Sequence, residues 1–202
     1  MKLLKTLLVS SIVAMASTAA FADTLTFEGL VGYDPNVSHY GDLTWNNFYL
    51  LDSSSTSLSN SGYHNGTVSG TQVAYNAFGN AASFGSTSAF TFNSGFFTGA
   101  WNDGLQIHVV GTGATAYSKD FVVNTASPSL VVFNWTGLTS VTFSTSGGTP
   151  HGYSGIGKHF ALENITVNEA VTAVPEPESY AMLLAGLAAM GVVVRRRKAK
   201  LA

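Results

Sequence analysis

The chain has no cysteine in 202 residues. No disulfide can brace it, and no thiolate is present to ligate a metal or attack a substrate. Its stability must come from packing, helped at most by a cation held through oxygen ligands. Charge is nearly as scarce. Only 10% of residues are charged, and between residues 23 and 173 the cations are Lys119 and Lys158 alone, against nine carboxylates. Nucleic-acid binding needs clustered Lys and Arg, so that class of partner is excluded. The formal net charge of −2 hides this asymmetry, because the other cations lie in the two terminal segments.

Catalytic patterns are missing as well. His39, His64, His108, His151 and His159 show no metal-ligand spacing. His108 alternates with Ile107 and Val109, which predicts a solvent-facing strand position. His151 and His159 flank a Gly-rich stretch and are placed to meet across it. No serine stands in Gly-x-Ser-x-Gly, and Ser154 lacks that spacing. Glycosidase carboxylates pair in space rather than in sequence, so Glu28, Asp103 and Glu163 remain the candidates for a hydrolase. The expectation is a non-catalytic protein.

What the chain does contain begins with targeting segments. Met1 to Lys5 is basic, Leu7 to Ala20 is mostly apolar, and Ala20-Phe21-Ala22 has a small-x-small cleavage form. Residues 1–22 read as a secretory signal peptide, leaving residues 23–173 as one domain.

That domain shows the period of strands. Leu25 to Gly29 alternates, with a loop from Val31 to Gly41. Asp42 to Leu51 reads as one bulged strand or two short ones. Asp52 to Gly70 reads as a long loop, with Ser53 to Ser57 exposed. Further strands are expected at 72–78, 88–93, 96–101, 105–110, 115–124, 129–135, 140–146 and 160–167. Gly79 to Gly85 would be a connection and Asn102-Asp103-Gly104 a hairpin turn. Short, evenly spaced strands without helical periodicity predict an all-β fold, an antiparallel β-sandwich, with a closed barrel as alternative. Phe27 is expected near Leu162 to Val167.

The last segment, 174–202, joins Pro175-Glu176-Pro177 to an apolar run from Tyr180 to Val194 and the basic end 195–200. As a helix the run reaches little more than about 20 Å, short for a hydrocarbon core. Arg195, Arg196, Arg197 and Lys198 would hold its end on the cytoplasmic side. These parts, in this order, resemble the PEP-CTERM sorting signal of Gram-negative bacteria that carry an exosortase. The resemblance implies export through the inner membrane by way of signal peptidase, transient anchoring by a transmembrane sorting helix, and cleavage by exosortase. Release to the cell surface or the extracellular matrix would follow.

The mature domain resembles the jelly-roll domains found ahead of such tails, through Phe27 to Leu30, Leu43 to Phe48, Phe90-x-Phe92, Ala100 to Leu105 and Phe160 to Val167. In sandwich domains a structural Ca²⁺ is often held between the terminal strands and an early loop. On that resemblance Glu28, Asp34, Asp42 and Glu163 would supply it. Sugars bind exposed aromatic faces and amides, which directs attention to Trp101, Tyr63, Tyr153, Asn102 and Asp103. Trp45 and Trp135 suit core positions at strand sites. The expected function is exopolysaccharide binding at the cell surface. An extracellular glycan hydrolase and a purely structural surface-layer component are the alternatives.

Overall fold

The computed structural model describes residues 22–30, 37–171 and 184–187. All of the expected signal peptide but Ala22 lies outside these residues, as do Asp34 and nearly all of the sorting tail. The chain divides into two compact units, Met1–Ala170 and Val171–Ala202. In the second, residues 184–187 are helical. Among the described residues no helix is long and apolar enough to cross a membrane; the expected span 180–194 lies mostly outside them.

Among the described residues of the first unit every strand pairing is antiparallel. Its strands are β1 (Asp23–Leu25), β2 (His39–Tyr40), β3 (Leu43–Asn46), β4 (Phe48–Asp52), β5 (Gln72–Asn76), β6 (Ala82–Gly99), β7 (Asn102–Gly113), β8 (Tyr117–Val123), β9 (Ser129–Pro150) and β10 (Phe160–Val167). The ladder runs β4-β5-β10-β6-β9-β7-β8, with β1 on β10 and β3 joining β2 to β6. Leu25 pairs with Ile165, so the first and last strands are neighbours as expected.

The long strands β6 and β9 fold this ladder into two layers. Near the start of β6, Ala82–Gly85 pair with Ser140–Phe143; further on, Ser94–Phe97 pair with Ser129–Val132. Between these stretches the register shifts, and Asn134 (φ 53°) and Gly137 (φ 67°) take left-handed conformations in β9. Such bulges bend a strand without ending it. The expected break at Gly79 to Gly85 is therefore only partly a connection, and 88–101 and 129–146 are not separate strands. Phe143, on the β7–β9 layer, packs within 6.2 Å of Phe48, Phe84, Phe92, Phe97 and Phe160. The core is thus an aromatic cluster between two sheets, with Trp45 and Trp135 buried in it.

Two local expectations are corrected. Asn102-Asp103-Gly104 is no hairpin turn: β7 has already begun at Asn102, and β9 separates β6 from β7. The N–H of Gly104 (φ 68°) goes to the Asn124 side chain instead. Ser53 is buried rather than exposed, its hydroxyl bonded to Thr67 and to the Thr71 carbonyl. The stretch 53–71 folds over the sheet, with a one-turn helix α1 (Gly62–Asn65).

Candidate functional site

Alternation in β4 sends Phe48 and Leu50 inward and leaves Tyr49 on the outer face of the sheet. Tyr49 lies opposite Tyr75 of β5, and Tyr75 opposite Ala161 of β10. Helix α1 docks beside them. A β-carbon at Gly62 would strike the Gly99 carbonyl, so only glycine allows this approach. The docking drives Tyr63 under the surface, into a small cluster with Val73, Ala100 and Ala161.

The result is a run of rings. Phe78 lies 5.8 Å from Tyr49, Tyr49 6.0 Å from Tyr75, Tyr75 5.4 Å from Tyr63, and Tyr63 5.3 Å from Trp101, all edge-on. His159 stacks on Tyr75 at 6.0 Å. Phe78 is 73% exposed, although it holds a left-handed backbone (φ 59°) that is uncommon for an aromatic residue. The segment 151–159 closes over the other end. A β-carbon at Gly155 would enter the Trp101 indole, so the backbone of this segment lies on that ring. Ile156 beside it is 80% exposed.

Both ends of this segment are tied down. The His151 N–H donates to the Trp101 carbonyl, and His151 Nδ1 lies 2.5 Å from Asp103 Oδ2. Asp103 Oδ1 accepts the N–H and hydroxyl of Thr125, both at 2.8 Å. The bond to His151, then those from Thr125, hold the Asp103 carboxyl down at about 2. The Tyr153 ring lies 4.3 Å from His151, and its hydroxyl meets Asn65. At the other end, Tyr63 bonds to His159 Nδ1. His151 and His159 therefore do not meet; each has its own partner.

Of the expected sugar-contact residues, all five gather at this end of the sandwich, but two are turned inward. Tyr63 is 3% exposed and Asn102 is buried, so neither is a surface contact. Trp101, Asp103 and Tyr153 are half-buried. Phe78, Tyr49, Tyr75 and His159 were not singled out from the sequence. Tyr49 could have been, by its place between inward Phe48 and Leu50.

The expected cation ligands divide differently. Glu28 Oε1 accepts the N–H groups of Thr71 and Gln72 at 2.9 and 2.7 Å, and Glu163 Oε2 accepts that of Ser69 at 3.2 Å. Two carboxylates thus hold one loop. Glu163 is fully buried and its Oε1 has no partner; Gln72 Oε1 is likewise buried and unpaired. Burial, aided by the nearby Glu28 charge, pushes the Glu163 carboxyl up to about 7. Unpaired buried oxygens beside a like-charged pair fit a hard cation, which would complete its shell from backbone and amide oxygens. Asp42 does not join them. It lies exposed at a turn (φ 58°), and no three acidic or histidine side chains converge among the described residues. Of the four expected carboxylates, Glu28 and Glu163 share one loop, Asp42 lies apart from them, and Asp34 lies outside the described residues.

Comparison with known proteins identifies the tail. The model of the PEP-CTERM protein-sorting motif matches residues 173–198. The chain carries a PEP-CTERM sorting motif. The match contains Pro175-Glu176-Pro177 and the arginine cluster, and a PEP-CTERM motif directs export and sorting to the cell surface with exosortase processing. No curated protein matches the PEP-CTERM chain. Among solved structures, this chain is similar to TmCBM61, described in complex with beta-1,4-galactotriose. The identity is 11% and the TM-score 0.37, over 66% of this chain and 92% of that one.

Proposed function

We propose that this protein is a non-catalytic surface component that binds neutral polysaccharide through the ring platform formed by Phe78, Tyr49, Tyr75, His159 and Trp101. The observation that carries this reading is Phe78, a large apolar side chain held 73% exposed on a left-handed backbone, at the head of a continuous aromatic row. Exposed apolar patches with polar surroundings are contact sites, and strain kept at such a position points to use. Aromatic faces take the C–H faces of sugar rings, while His159, Asp103 and Asn65 offer polar groups at the margin. Nine carboxylates against two lysines in residues 23–173 disfavour uronic-acid polymers, so the preferred glycan is neutral. In this reading segment 180–194 anchors the chain in the inner membrane until exosortase acts. The Glu28–Glu163 pair holds a Ca²⁺ that secures loop 69–72.

Replacing Phe78 by glycine separates binding from stability. Glycine suits φ 59° and should leave the fold as stable or better by up to about 1 kcal/mol. Affinity for a neutral glucan or galactan should fall tenfold or more, read by affinity electrophoresis of the full chain in detergent. Unchanged binding by Phe78→Gly, or release of reducing sugar by the wild-type chain, would refute this reading.

A further inference from the structure

The opposite face of the sandwich carries a second, chemically different groove. On the outer side of β3, β6, β9 and β7 the cross-strand partners form rows. Thr44, Gly85, Ser140 and Thr112 make one; Asn46, Ser83, Thr142 and Val110 make the next. At Gly85 no side chain fills the row, and a β-carbon there would meet the Thr139 carbonyl. The row is notched at that point into a depression of about 320 Å³. A second depression of about 410 Å³ continues it past Asp42 to Asn168, and the two share Ser86 and Thr87.

The backbone adds donors and acceptors. Gly85 pairs with Ser140 and Phe90 with Leu138, so residues 86–89 loop out of the ladder opposite Thr139 alone. Peptide groups outside a ladder need other partners, and here they border the groove. Hydroxyl, amide and peptide groups line the groove together with the apolar Phe84, Leu43, Ala89 and Phe90, and Asp42 at its far end is its one ionisable side chain. An elongated trough that mixes hydroxyl and amide groups with apolar surface, and carries one carboxylate at its end, suits a polymer of hydroxyl groups with C–H faces better than an anion.

We infer that this groove is a second site for neutral polysaccharide, recognised by hydrogen bonds rather than by ring stacking. The inference rests on the glycan-binding reading of the platform. The platform lies on the outer face of the β4–β5–β10 layer and the groove on that of the β3–β6–β9–β7 layer. One molecule therefore holds two glycan strands and links them.

The test uses the full chain in detergent with a neutral glucan and a galactan, each as a long polymer and as short oligosaccharides. The wild type should bind two oligosaccharides per chain and raise the viscosity of the polymer. The double variant Asn46→Ala/Ser83→Ala, one position exposed and the other half-buried, should bind one and lose the viscosity increase while still being retained by the polymer. Phe78→Gly should also bind one, with the groove intact. A stoichiometry of one for the wild type, or cross-linking unaffected by Asn46→Ala/Ser83→Ala, overturns the second site and leaves the platform standing. No binding by the wild type overturns both.

Discussion

The phenolic oxygen of Tyr63 lies 2.7 Å from Nδ1 of His159, ninety-six positions further along the chain. Burial raises the Tyr63 hydroxyl well above its ordinary range and lowers that of the His159 imidazole. Tyrosine stays protonated and histidine neutral, so the O–H donates to Nδ1 and the hydrogen of the imidazole sits on Nε2. That outward edge of the ring is bordered by Gly79 and Gly157, where no side chain intervenes.

Replacing Tyr63 by phenylalanine should leave Nδ1 without a donor and cost about 1–2 kcal/mol, read by urea unfolding. The ¹⁵N shifts of His159 should show the loss of the accepted bond. Glycan affinity should also fall, although Tyr63 is buried, because the bond fixes the segment that lies on Trp101. A wild-type affinity in Tyr63→Phe would deny that role.

Glu163 makes stability depend on pH in an unusual sense. Its carboxyl titrates near 7 when folded, against 4.5 ordinarily, so between these values the folded chain holds the extra proton. Its contribution is complete below pH 4.5 and is lost as pH rises through about 7. Glu163→Gln should remove that slope. Calcium should raise the melting temperature at pH 8 by several degrees and do little at pH 5, with EDTA reversing the gain. Lowered His159 acts oppositely, losing stability as pH falls below about 6.5; Glu163→Gln should expose that second slope. An equal calcium response at both pH values, or none, would remove the cation from Glu163.

Phe143 touches five other aromatic rings across both sheets. Truncation to alanine should cost about 3–5 kcal/mol, a large part of a small domain's stability. Calorimetry should find the melting temperature lowered by roughly 6–20 °C. The surface change Thr142→Ala on the same strand should shift its midpoint by no more than a degree or two.

The sequence by itself determined the delivery of this protein and the class of its fold. Pro175-Glu176-Pro177, the apolar run and the arginines are contiguous, so their chemistry is readable without folding. Alternation is equally local, which is why β10 is found at Phe160–Val167 as read; the first strand, read at Leu25 to Gly29, is instead Asp23–Leu25, because the backbone turns left-handed at Phe27. Tertiary structure decided whatever depended on what covers a face. Ser, Thr and Gly in β6 and β9 read as breaks, yet the two strands hold each other through the bulges, because partner strands satisfy the backbone that local sequence leaves open. Tyr63 went inward because α1 rests on β6 through Gly62, and Glu163 was buried because loop 69–72 lies over it. Phe78 faces solvent because its backbone turns left-handed between β5 and β6. A pattern of residue types fixes which way a side chain points along a strand; which element then arrives above it is settled only when distant segments pack.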